Sequence, residues 1–452
     1  MKWIKGTITL LLCLSCLPLM AEDTATPQGS TDTGLVGGRI FIQLDQPVDQ
    51  KFPIAIPDLV KAEGFSDHDK LSKKLPEIIR NDLDLSSYFK IVSKRLYPHK
   101  NENMTTETID FAKWREIGAN ALIKGIVYKD GGRVTVQLKL FNAQNGEMQL
   151  GKEYTADRKD IRTIAHRFSD DVLFAVTGLR GVFNTKLAYT SQVKRKGGKS
   201  IYVMDMDGFN NQRVTKDSSM NIGASWSPDG KQLAYSSYVN GFPDIYTVNL
   251  SNGHVRQLTD NRSTNITPAW SPDGDIIMYS SAKNRDSDLF IINPRTGAER
   301  VFSAAFGIDL GARFSPDGSE VVYASERGGH LNIFKQSLHG GMPKKLTFHG
   351  YQNDSPDWSP DSTKIVFHGR SGGTYDIFTM NSDGTNVQRL TVGNGSNEHP
   401  RWSPDSRYIV FSSTRDGTSA IYIMRFDGAN PVRISKGNGE LPSWGPWDKR
   451  ED

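Results

Sequence analysis

The chain has 452 residues, 23% of them charged, and a formal net charge of +4. Two domains are the natural expectation at this length, and the near balance of charge gives no ground for a nucleic-acid partner or an acidic substrate. Its two cysteines, Cys13 and Cys16, both fall in the opening stretch, which excludes disulfides and Cys–metal chemistry from everything after it.

Lys2 and Lys5 precede the apolar run from Ile8 to Met20, and Ala21 is followed by acidic and polar sequence. Residues 1–21 therefore read as a secretory signal peptide cleaved after Ala21. Lipidation at Cys16 is disfavoured, because Cys13 stands where a branched aliphatic belongs and the apolar run continues past it. No later segment approaches the ~20 apolar residues of a membrane span. The mature chain is expected to be exported, soluble and monomeric.

Residues 22–38 are small, polar and glycine-bearing, and read as a flexible arm. In RIFIQLD (39–45), Ile40, Ile42 and Leu44 alternate on one face of a strand. FPIAIPDL (52–59) is a second strand, placed by its prolines at an edge or an end. Leu71, Leu75, Ile78, Ile79 and Leu83 predict a helix over 67–83 despite Pro76. A strand at 89–93 and a short helix at 107–117 follow. Segments 121–128, 133–142 and 147–155 form a meander, turning at Asp130-Gly131-Gly132 and Asn145-Gly146. Ile161, Ile164, Ala165, Phe168, Val172, Ala175 and Val176 mark a helix that stops before Gly178. Residues 39–177 are thus a small α/β domain, and 178–185 a linker.

From residue 186 to 446 the chain repeats itself. WSPDG at 226 and 270, FSPDG at 314, and WSPDS at 358 and 402 are spaced 44 residues apart. Thr215, Thr259, Ser303, Thr347, Thr391 and Ser435 keep the same interval, as do Tyr202, Tyr246, Phe290, Phe334, Phe378 and Tyr422. Each period holds four short runs rich in Ile, Val, Tyr and Phe, which are antiparallel strands A to D of a propeller blade. Ser-Pro-Asp-Gly is the A–B turn, with Gly suited to a positive φ. The first unit lacks strand A, and ELPSWGP (440–446) is a strand A with nothing after it. The chain therefore closes a six-bladed ring with its own C-terminal strand, leaving 447–452 as a tail. Trp226, Trp270, Phe314, Trp358 and Trp402 share one blade position and are expected in the core.

No catalytic set emerges. GRSGG (369–373) matches a nucleophile pattern but falls between strands B and C, where a glycine hairpin suffices. GGKS (197–200) lacks the first glycine of a phosphate loop, and Asp205 with Asp207 lacks the remaining ligands of a calcium loop. The nine histidines show no metal spacing, and no cofactor is expected. One polar set is more suggestive: Asn221, Asn265, Asp309, Asn353 and Asn397 stand five residues before each strand A aromatic. They fall in the D–A loops, either as local turn-makers or as a broken polar ring at one mouth of the channel that contacts a partner. Alternating strand direction puts the D–A and B–C loops on one face, and these loops vary between repeats, as a recognition surface would.

The α/β domain, the stretch TGLRGVFNTKLAYTSQ (177–192), the segments DLDLSSYFKIVSK (82–94) and WREIGANALIKGIV (114–127), and the six repeats together resemble the TolB family of the Tol–Pal envelope system. The resemblance implies a non-catalytic periplasmic scaffold that supports outer-membrane integrity and envelope constriction at division. It implies an anticodon-binding-domain-like fold for the first domain, without RNA binding. It also implies two partners: the peptidoglycan-associated lipoprotein Pal on the propeller, and a TolA-like inner-membrane protein through the N-terminal strand Arg39, Ile40, Phe41 and Ile42. Typical members begin that strand almost directly after signal cleavage, whereas here residues 22–38 precede it. The competing readings are the accessory propeller of a hydrolase, a lactonase-like propeller with a channel metal, and a peptidoglycan- or carbohydrate-binding propeller.

Overall fold

The computed structural model describes residues 51–98, 106–192, 197–216 and 218–447. The signal segment, the arm and the strand containing Arg39, Ile40, Phe41 and Ile42 lie outside them.

The first domain contains β1 (Phe52–Ala55), β2 (Val60–Lys61), α1 (Leu71–Leu85), β3 (Phe89–Ile91), α2 (Phe111–Glu116), β4 (Ala121–Asp130), β5 (Arg133–Asn142), β6 (Met148–Ala156) and α3 (Ile161–Thr177). The sheet order is β3-β1-β4-β5-β6, with β2 also against β4. β1 is not an edge strand: it runs parallel to both β3 and β4. Pro53 is tolerated there because the β4 ladder begins at Ile54, after the missing N–H, while the Pro53 carbonyl accepts the Asn120 amide at 3.0 Å. Pro76 also sits inside its helix. Its absent N–H releases the Ser72 carbonyl, which takes the Leu59 amide at 2.8 Å instead. α1 begins later than the periodicity predicts, and the Asp67 carboxylate caps it from outside, 2.6 Å from the Leu71 amide. α3 ends on Gly178 at φ 72°, a left-handed stop that glycine adopts without strain.

Residues 178–185 are a packed joint rather than a free tether. Val182, Phe183 and Thr185 are buried, and the Phe183 amide donates to Asp170 at 2.9 Å. Leu83, Phe168 and Phe183 share one apolar cluster with Leu187, Tyr408 and Trp444 of the propeller. The two domains therefore have a common core.

Six four-stranded sheets follow, each ordered A-B-C-D. Strand A of the first blade is Glu440–Trp444, paired antiparallel with Lys186–Gln192, so the C-terminal strand closes the ring. In the A–B turns the Ser227, Ser271, Ser315, Ser359 and Ser403 hydroxyls reach the Asp two residues on at 2.5–2.6 Å. The last turn position has φ 69° at Gly230 and 64° at Ser362, so glycine is favoured there and serine is strained. The phase-locked aromatics lie opposite a second ring across strands B and C, from Tyr189–Tyr202 to Phe411–Tyr422, with centroids 5.5 to 6.3 Å apart. GRSGG is a B–C hairpin, with Gly372 and Gly373 at its tip.

Candidate interaction surface

The five residues Asn221, Asn265, Asp309, Asn353 and Asn397 open the A strands of blades two to six, and all are buried. They do not form a solvent-facing ring. Between blades two and three, Thr259 and Asn265 both donate to the Asp244 carboxylate, at 2.8 and 2.9 Å, and Ser281 donates to Asn265 at 2.7 Å. Thr391, Asp376, Asn397 and Ser413 repeat that tie between blades five and six. Thr347, Asn332 and Asn353 repeat part of it between blades four and five. Asp309 replaces the amide with a charge, and Arg327 and Ser303 answer it, each at 2.8 Å. Asn221 donates weakly to the carbonyls of Ser219 and Lys199. At Asn265 and Asn397 one amide joins a carboxylate behind it to a hydroxyl beside it, across a blade junction. The phase-locked hydroxyls belong to the same device, Thr259 accepting the Ile245 amide at 2.9 Å while donating to Asp244.

Two residues beyond each of these five positions, and beyond Gly439 in blade one, the backbone turns left-handed: Gly223, Thr267, Gly311, Ser355, His399 and Leu441 have φ between 50° and 67°. The A–B register slips at this point in all six blades. These are bulges in the innermost strands, which contact one another in a closed cycle.

Inside that wall the sixfold pattern breaks. Blades four to six contribute Arg313, Asp354, Asp357, His368, His399 and Arg401. Arg401 donates to the Ser355 carbonyl at 3.1 Å, and the Trp402 amide donates to Asp357 at 2.9 Å. The His399 amide donates to Nδ1 of His368 at 3.1 Å, which leaves the His368 proton on Nε2. Burial, with Arg401 beside it, lowers the His368 pKa to about 3, and burial with His368 as neighbour lowers that of His399 to about 3. Burial likewise raises the Asp354 and Asp357 carboxyls and lowers Arg313 to about 9. Arg313, Asp357 and Arg401 share one position of the repeat, where the earlier blades carry Ser225 and Ala269, so that part of the group had a periodic signal, whereas Asp354, His368 and His399 had none.

The two mouths differ. On the A–B side Trp226, Trp270, Phe314, Trp358, Trp402 and Trp444 line a cavity of about 330 Å3 together with the turn prolines. Four of the five aromatics predicted for the core are buried, and Trp270 is partly buried against it. The first domain packs on this side, over blades one and six. Tyr408 donates to the Ser86 carbonyl at 3.2 Å, Asn430 to Ser87 at 3.1 Å and Arg407 to the Arg180 carbonyl at 2.6 Å.

On the D–A side the loops project large apolar groups. Phe306 is 90% exposed, and Phe348 and Tyr351 are each 71% exposed. They lie on consecutive blades, where Ser287 bridges to Ile308 and Leu331 to Gln352, holding each D–A loop against the preceding blade. The Tyr351 ring meets His330 edge-on at 5.1 Å. The register of these loops in the fold turns their few aromatics outward together.

Residues 174–448 match the family profile described as TolB beta propeller domain, and residues 40–149 match the TolB amino-terminal domain. The "Tol-Pal system protein TolB" of Desulfosudis oleivorans is 32% identical over 243 residues, covering 53% of this chain and 52% of that protein. Its namesake in Geobacter metallireducens is 38% identical over 226 residues, covering 50% and 48% respectively. The chain thus spans about half the length of the curated relatives it matches. The crystal structure of TolB from Acinetobacter baumannii superposes with a TM-score of 0.78 at 26% identity, over 88% of this chain and 98% of that one.

Proposed function

The chain belongs to the TolB family, and from that premise we propose that it is a non-catalytic scaffold of a Tol–Pal system in the periplasm. In this reading the propeller takes the lipoprotein Pal on its D–A face, and the segment containing Arg39, Ile40, Phe41 and Ile42 serves a TolA-like protein. One observation carries the choice of face. The first domain covers part of the A–B side, whereas the D–A side keeps Phe306, Phe348 and Tyr351 in solvent. Rigid aromatics on neighbouring braced loops are the groups that dominate protein–protein contacts. Asn221, Asn265, Asp309, Asn353 and Asn397 act behind this surface, holding the loops that present it. No helix among the described residues is long and apolar enough to cross a membrane.

The test is calorimetric titration of the full chain with the soluble domain of Pal. Phe306→Ala and Tyr351→Ala should each weaken binding about tenfold or more, while Met342→Ala, exposed in a C–D turn on the opposite side, leaves it unchanged. Unaltered affinity in both loop variants, or a loss confined to Met342→Ala, rejects this face.

A further inference from the structure

A cluster of charged and polar side chains joins the two domains. His166 lies on α3 and is buried, with carboxylates on both sides. Its Nδ1 is 2.8 Å from Asp82 of α1, and its Nε2 is 3.8 Å from Asp207, in the C–D turn of blade one. Arg162, one helical turn before His166, bonds to Asp207, lies 3.5 Å from Asp205 and comes within 3.3 Å of the imidazole Nε2. Lys186 reaches Asp205 from the opposite side at 3.2 Å. The groups that face the ring are therefore Asp82 from α1, Arg162 from its own helix and Asp207 from the propeller. The Arg162 guanidinium already fills the place that a bound cation would take.

We propose that His166 is a proton-dependent latch between the α/β domain and the propeller, closed when its imidazole is charged. The charged ring donates from Nδ1 to buried Asp82 and attracts partly buried Asp207 as an ion pair 3.8 Å away, so carboxylates from different domains share one cation. Loss of the proton from Nε2 turns that atom into an acceptor. Arg162, already within 3.3 Å of Nε2, then donates to the ring in competition with Asp207, and the interface keeps one negative charge too many. Burial by itself would lower the imidazole pKa, but the Asp82 carboxylate, its hydrogen bond and Asp207 outweigh it, and the net displacement is upward. A raised pKa for a base means that its contribution is complete below the unfolded-state value and is lost as pH rises through the folded-state value. The latch therefore opens toward alkaline pH. Each unit of upward displacement makes the open-to-closed ratio about tenfold larger above the transition than below it.

Hydrogen exchange of the full chain, corrected for the intrinsic pH dependence of amide chemistry, tests this at α3 and at residues 205–209. Between mildly acidic and alkaline pH, protection there should fall in the unaltered protein. His166→Gln keeps a donor toward Asp82 but cannot titrate, so its profile should be flat. Protection that does not change with pH, or the same slope in His166→Gln, overturns the proposal. If His166→Gln does not fold, the His166 ring resonance decides in the unaltered chain and in Asp207→Asn. A midpoint above the ordinary ~6.5 that moves down in Asp207→Asn upholds the latch. A midpoint at or below that value, or one that Asp207→Asn leaves in place, ends it.

Discussion

The two faces of the propeller are made from the same strands and follow opposite rules. On the A–B face the chain writes nearly the same turn five times, and the structure spends it on internal order: a Ser–Asp bond, a left-handed stop, an aromatic beneath. On the D–A face the loops differ from blade to blade and turn Phe306, Phe348 and Tyr351 to solvent. Repetition marks what every blade needs in order to fold, and variation marks loops that the shared fold leaves free to differ. The buried amides qualify that contrast. They repeat, they lie at the edge of the variable face, and they are buried.

Removing residues 440–452 should have the largest effect. It strips strand A from blade one, together with Trp444, which packs in the shared interdomain core and donates to Thr185 at 2.9 Å. Loss of cooperative urea unfolding is expected, and an unchanged transition would refute closure by this strand. Next, Trp402→Ala should cost ~3–5 kcal/mol as a buried aromatic. Trp270→Ala should cost less, because its partly buried ring keeps some surface in water. Equal costs would mean that the A–B rim is not graded by burial. Asn397→Leu comes third. It leaves the Asp376 carboxylate and the Ser413 hydroxyl short of a partner, and a loss of ~1–3 kcal/mol in denaturant midpoint is expected. Retained stability with lost Pal binding would return this residue to the recognition surface. Smallest of all, Phe306→Ala and Tyr351→Ala should change stability by no more than about 0.5 kcal/mol, since the groups they remove make little internal contact.

The propeller was legible because a 44-residue period is redundant: the turns, the D-strand hydroxyls and the C-strand aromatics each report the same blade independently. The first domain was legible by element but less so by position. Pro53 and Pro76 argued for an edge strand and a weak helix, and both are accommodated by partners that lie outside the local pattern, Asn120 and Leu59. The five D–A residues were legible as a repeating polar set, but their surroundings were not. Asn265 and its equivalents looked like a polar mouth because a loop asparagine has the same sequence signature whether it meets solvent or a neighbouring blade.

The amino-acid sequence alone determined the six blades, their turn chemistry, the closing strand and the order of the two domains, because these depend on local propensity and on a period that any one copy can verify. Only the tertiary structure decided which way the polar and aromatic groups point. It brought Asp354, His368, His399 and Arg401 into one buried group and set Asp82, His166 and Asp207 on either side of a domain junction. Such groupings join residues far apart in the chain whose meeting depends on how completed sheets and helices pack, and no periodicity encodes that.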